Sequence, residues 1–181
     1  MAREIERKFL VRSTSCLDGM RGERIVQGYI AREAGAMTVR VRIRGERAVV
    51  TMKGSREGIA RDEFEYPIPL SDAESMIARH CAGRVVRKTR FLVPYGGHLF
   101  EVDVFDGRHA GLVLAEVELP RADTPLNLPD WVGDEVSHDL RYRNAFLAQF
   151  EGGVRSLGGW MGVRAAPQRR VVRDQGWSVT G

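Results

Sequence analysis

The sequence predicts an α+β fold in which eight antiparallel strands close into a barrel, apolar outside against helices and charged inside. Three observations predict it. Eight segments alternate apolar and polar residues or are rich in β-branched and aromatic ones, the pattern of strands. Turn signals lie between them, and short links favour antiparallel neighbours. On strand after strand, the polar positions form a charged pair two residues apart, flanked by large apolar residues. One such strand describes an ordinary sheet with a wet face. Seven place their charges on one common surface, and eight strands are about the number that closes into a barrel with a narrow interior.

The strands read as 3–11, 24–32, 37–44, 47–54, 61–68, 84–93, 98–105 and 111–119. Gly45-Glu46, Gly54-Ser55, Tyr95-Gly96-Gly97 and Asp106-Gly107 supply turns. Residues 14–23 are turn-rich, with room for a short helix. A helix fits 72–82, where Ser71-Asp72-Ala73-Glu74 has the spacing of a capping box. A second fits 139–150, where Leu140, Phe146, Leu147 and Phe150 recur at helical spacing before Gly152-Gly153. Residues 120–134, with Pro120, Pro125 and Pro129, read as a loop.

The chain has 181 residues, enough for one domain with a sizeable core. No apolar run approaches the ~20 residues of a membrane span, and no signal peptide is expected. Cys16 and Cys81 lack metal-ligand spacing and read as reduced thiols of a cytoplasmic protein. The formal charge of +4 is carried by residues 152–181, where five arginines face Asp174 alone. Residues 1–151 are therefore formally neutral, which argues against a general nucleic-acid surface. The glycine- and arginine-rich tail 152–181 is expected to be disordered, with an oligomer contact in a homodimer as the alternative. His80, His98, His109 and His138 show no ligand spacing and read as surface or loop residues.

The inner face would carry Glu4, Glu6, Glu63, Glu65, Glu101, Asp103, Glu116 and Glu118 as acids. Its bases would be Lys8, Arg40, Arg42, Arg44, Lys53, Lys88 and Arg90, with Arg44 near a strand end in solvent. Enclosed charges need partners. Mg²⁺ or Mn²⁺ on carboxylates, with a polyphosphate on Arg and Lys, would satisfy both sets. Tyr29, beside Gln27, has two readings. Facing inward next to Lys8, it would share a hydrogen bond and tune the pH optimum. Facing outward, it would join the core.

These residues resemble the CYTH superfamily, the triphosphate tunnel metalloenzymes. Glu4-x-Glu6-x-Lys8 matches its opening ExExK signature, and the likeness continues through Arg40-x-Arg42, Thr51-x-Lys53, Glu63-x-Glu65, Lys88-x-Arg90, Glu101-x-Asp103 and Glu116-x-Glu118. Glu135-Val136 and Arg141-Tyr142-Arg143-Asn144 extend it, so that it spans roughly residues 2–150. The ordered set is specific where a lone ExExK is weak, and it is similar to the small single-domain bacterial members. The resemblance implies a tunnel domain over 1–151 that holds a triphosphate end-on. It implies metal at Glu4, Glu6, Glu116 and Glu118, with Asp103 near a second ion. It implies phosphate contacts from Lys8, Arg40, Arg42, Lys53, Lys88 and Arg90, and a C-terminal plug helix offering Arg141 or Arg143. Glu63, Glu65 or Glu118 would orient or deprotonate the attacking water.

The implied activity is metal-dependent hydrolysis of inorganic triphosphate to pyrophosphate and phosphate. Hydrolysis of thiamine or nucleoside triphosphates, class IV adenylate cyclisation and non-catalytic polyphosphate binding are the alternatives. The number of acids argues against the last, because pure anion binding gains nothing from them.

Overall fold

A computed structural model describes residues 5–31, 37–54, 63–121 and 123–150. In chain order the elements are β1 (Ile5–Val11), β2 (Glu23–Ala31), β3 (Thr38–Arg44), β4 (Arg47–Lys53), β5 (Glu63–Ile68), α1 (Leu70–His80), β6 (Val85–Tyr95), β7 (His98–Phe105), β8 (Val113–Leu119), β9 (Val132–Glu135) and α2 (Asn144–Leu147). All eight expected strands form within two residues of their expected bounds. Gly96 and Gly97 both take positive φ (57° and 81°), which the tight turn between β6 and β7 requires.

The sheet is antiparallel, in the order β5-β4-β3-β2-β6-β7-β8-β1-β9. It differs from the expected eight-stranded closed barrel in two linked ways. There is a ninth strand, and among the described residues β5 and β9 are edges rather than neighbours. The reason is β9 itself. It pairs with the edge of β1 that β8 leaves open, with Phe9 opposite Glu135 and Val11 opposite Val132. That edge is therefore not offered to β5. The sheet nonetheless curls. Lys8 on β1 lies close enough to Tyr29 on β2 for its charge to act on the phenol, although four ladder steps separate their strands.

The convex face holds two apolar layers. Phe9, Phe91, Phe100, Val102, Ala115 and Val117 lie under the 3₁₀ turn Ser15–Leu17 and under Leu126 and Trp131. Val41, Ala48, Val50 and Ile68 lie under α1. Burying side chains such as Phe9 and Phe100 stabilises the sheet by about 1.5–3 kcal/mol each. Gly28 permits the close approach of the chain leaving α1, since a Cβ there would lie 2.6 Å from Cys81 Sγ.

Both helices depart from expectation. α1 starts at Leu70, and Pro69 is its N-cap, accepting the Asp72 and Ala73 N–H groups at 3.1 Å. The Ser71–Glu74 capping box therefore does not form. Leu70 packs into the layer over β3 and β4, which winds the helix one residue before the serine. The expected helix 139–150 is a 3₁₀ turn, Leu140–Tyr142, followed by α2, with Arg143 extended between them (ψ 133°). Tyr142 and Leu147 are both buried in one cluster. Five positions apart on a continuous helix, they would point about 140° apart. The break at Arg143 lets both face the sheet. No described helix is long and apolar enough to cross a membrane.

Candidate functional site: a charged concave face

Side chains alternate along a strand, so the apolar convex layers force the intervening residues onto the concave side. The expected charged face is there. Its centre is a knot of ions on β1, β6, β7 and β8. Asp103 is fully buried (0% exposed) and Lys88 nearly so (2%). Arg90 grips Asp103 in a fork, Nε to Oδ1 and Nη2 to Oδ2, both at 2.7 Å, and Lys88 Nζ binds Oδ2. Arg90 also reaches Glu116 Oε2 at 3.1 Å and bonds Glu101. Lys8 Nζ donates to Glu116 Oε1 at 2.5 Å and lies 3.2 Å from Glu6.

This crowding shifts the titrations. Burial alone would raise the Glu116 carboxyl, but Lys8, Lys88 and Arg90 outweigh it and hold it at about 2. Burial also works against the Lys8 ammonium, yet Glu116 and Glu6 keep it above the usual lysine range. For Lys88 the balance reverses: burial exceeds the pull of Asp103 and lowers it. Arg90 is raised, its carboxylates overcoming burial.

The opposite wall, on β3, β4 and β5, is less neutralised. Lys53 pairs with Glu63 at 2.6 Å. Arg40 donates from Nη2 to Thr51 Oγ1 at 3.0 Å, and its own Nε is buried without a partner. Arg42 is half-buried, with Nε sealed from solvent and unbonded. Among the described residues it has neither a hydrogen bond nor an ion pair. Burial, then the neighbouring charges of Arg40 and Arg90, press its pKa below the usual guanidinium range. A buried donor left unmade costs on the order of 1–3 kcal/mol, more for a charged group. Two buried guanidinium Nε donors on this wall, those of Arg40 and Arg42, thus stand without a partner among the described residues.

Tyr29 faces this concavity, and its hydroxyl accepts from Gln27 Nε2 at 3.1 Å. Lys8 is instead held by carboxylates. Burial raises the phenol against the opposing charges of Arg40, Arg42 and Lys8. Arg44 bonds Glu23 at 2.5 Å at the strand end.

Acids dominate the rim beside β1 and β8. Glu6 lies directly opposite Glu118 in the ladder, on one face, with Glu116 two residues further along. Among the described residues, no three His, Cys, Asp or Glu side chains converge in a ready-made metal cluster. Glu4 lies outside the described residues. The donor chemistry still suits a hard divalent ion, which takes one or two carboxylates together with phosphate oxygens and water.

The other end of the face is apolar. Tyr29, Val86, Phe105 and Leu114 meet Tyr142, Leu147 and Ala148 there. Arg141 is drawn to Asp139, with Nε 2.8 Å from Oδ1 and Nη2 2.5 Å from Oδ2. Arg143 is half-buried in the extended link before α2. His109, expected at the surface or in a loop, sits in the link between β7 and β8 but is buried, its Nε2 2.8 Å from the Leu147 carbonyl. Arg108 beside it binds the Ala148 carbonyl at 2.8 Å. The sequence alone gives Thr51 and Gln27 no role. Their position two residues from Lys53 and Tyr29 was the available signal.

The profile of the CYTH domain matches residues 2–145. The chain is 38% identical over 149 residues to an inorganic triphosphatase of Acetivibrio thermocellus, covering 82% of this chain and 95% of that protein. It is 39% identical over 150 residues to an inorganic triphosphatase of Nitrosomonas europaea, covering 80% and 96%. Among solved structures it is similar to the inorganic triphosphatase NE1496, with a TM-score of 0.67, 36% identity and coverage of 84% of this chain and 99% of that one.

Proposed function

The chain belongs to the CYTH domain family, and from that premise we propose that it hydrolyses inorganic triphosphate to pyrophosphate and phosphate. The observation that carries the reading is Arg42, a cation without an ion-pair partner among the described residues, opposite a rim of carboxylates on the same curved face. That polarity fits a polyanion with a divalent cation, and the names of the relatives support inorganic triphosphate as the polyanion.

Arg40 and Arg42 would take the phosphate oxygens, with Lys8, Lys53, Lys88 and Arg90 adding positive field. The β6 cations are oriented by Asp103, whose two oxygens are already engaged. Glu6 and Glu118, with Glu4 and Glu116, would hold Mg²⁺ or Mn²⁺. When bound, such an ion neutralises phosphate charge and lowers the pKa of a coordinated water. In hydrolysis a water oxygen would form a bond to the terminal phosphorus as the bond from that phosphorus to the bridging oxygen breaks. The electron pair leaves with pyrophosphate. Glu63, Glu65 or Glu118 would orient the water or accept its proton, and Tyr29 would donate to a phosphate oxygen. Phosphoryl transfer asks mainly for this positioning and charge neutralisation.

The 139–150 segment would close the apolar end, so substrate enters from the acidic rim. Two free cysteines accord with a cytoplasmic protein. We place the activity within 1–151 and assign the basic tail no part in it.

The test is release of phosphate and of cyclic AMP from inorganic triphosphate, ATP and thiamine triphosphate, each with Mg²⁺, Mn²⁺ or EDTA. Metal-dependent release, fastest with inorganic triphosphate, is expected. No turnover with any metal would overturn the reading, and faster release from another substrate would reassign it.

A further inference from the structure

We infer that Thr51 is a positioning residue: its hydroxyl stands between Arg40 and Glu65 and keeps the Arg40 charge available to an incoming anion. The inference rests on the triphosphate reading above. Arg40, Thr51 and Glu65 are ladder partners in one row across β3, β4 and β5. Thr51 is fully buried. Its Oγ1 accepts from Arg40 Nη2 at 3.0 Å and donates to Glu65 Oε2 at 2.9 Å. Arg40 and Glu65 themselves come no closer than 3.7 Å, beyond hydrogen-bond reach.

A hydroxyl has one proton to give and lone pairs to accept with. One neutral group thus satisfies a cation on one side and an anion on the other. Without it, the two would meet directly in a shorter, charge-assisted pair. Arg90 shows the alternative on the other wall. There the adjacent strand offers Asp103 with no hydroxyl between, and the guanidinium is taken in a fork. Arg40 is spared this, and its buried Nε remains unbonded. Glu65 is exposed, so its carboxylate has room to move.

Thr51→Val keeps the shape and deletes the hydroxyl. Glu65 then closes on Arg40 and competes with the substrate phosphate. The experiment is calorimetric titration of the metal-free protein in EDTA with inorganic tripolyphosphate, so that turnover plays no part. Losing one charge-assisted contact predicts binding weaker by roughly tenfold or more for Thr51→Val. Thr51→Ser, which restores the hydroxyl, stays close to the wild type. Thr51→Val/Glu65→Gln recovers most of the affinity, because the competing charge is gone. Wild-type binding by Thr51→Val overturns the inference. So does a double variant as weak as Thr51→Val, which would reduce Thr51 to packing. If the unsubstituted protein fails to bind tripolyphosphate, the triphosphate reading falls and this inference with it, before any variant is made.

Discussion

Glu6 and Glu118 face each other directly across the β1–β8 ladder, two carboxylates on one side of one sheet. Like charges so placed repel, and Lys8 at 3.2 Å relieves only Glu6. A divalent cation held as proposed between them would relieve that repulsion.

Glu118→Gln should therefore separate stability from function. In EDTA the variant melts at the same temperature as the wild type or slightly higher, a gain of about 0.2–1 kcal/mol. The rise in melting temperature that Mg²⁺ or Mn²⁺ gives the wild type shrinks, and metal-dependent turnover falls. A variant that still gains full stabilisation from metal would remove Glu118 from the ion.

Arg42→Met removes a cation that makes neither a hydrogen bond nor an ion pair among the described residues, with Glu65 as a more distant opposite charge. KM for triphosphate should rise roughly tenfold to a hundredfold, the worth of a charge-assisted bond. Melting in the absence of anion should change little or improve, since the burial that lowers the Arg42 pKa is relieved. Steady-state kinetics beside thermal melts check both halves.

Glu116 sets the acid limit. Its folded pKa of about 2 lies below the ordinary 4.5. A depressed carboxyl contributes stability above its unfolded pKa and loses it as pH falls through the folded value. The wild type should thus outlast Glu116→Gln at neutral pH, where breaking a buried pair costs about 3–5 kcal/mol. The gap should narrow from about pH 4.5 downward and close near 2. Urea unfolding across that range measures it.

His109 governs a different window. Burial, aided by Arg108, holds its pKa below 6.5. The unfolded chain therefore binds the proton more readily, and stability declines as pH drops below 6.5 toward the folded value. His109→Gln should flatten that decline while still donating to the Leu147 carbonyl. Melting curves from neutral pH to about 5 reveal the difference.

Ending the chain after Glu151 should leave kcat/KM for triphosphate within about twofold, less than 0.5 kcal/mol. A larger loss, restored by adding the tail back, would bring residues 152–181 into the site or its assembly.

The period-two alternation made the strands and the shared charged face legible, because burial of the apolar layer leaves the other side chains one direction to take. The pairings on that face were not legible. Lys8 chooses Glu116 only through a register spanning 108 positions, and no local pattern encodes it. β9 stayed hidden because Val132-Gly133-Asp134-Glu135 has no alternation, follows three prolines, and gains strand character only from β1. The second helix failed as a single unit because Asp139 takes the Arg141 N–H and side chain, holding a tight turn that spacing alone did not signal.

β1 has consequences for how the protein is made. Its ladder partners are β8 and β9, and its ties to Glu116 and Glu135 span 108 and 128 residues. During synthesis the strand that carries Glu6 and Lys8 leaves the ribosome before the other strands and waits for nearly the whole domain before it can pair. Contacts of such long range are the slow ones to form. The charged face is complete only when the two ends of the domain meet, so a chain that stops before β8 carries the arginines of β3 without the Glu6–Glu118 pair.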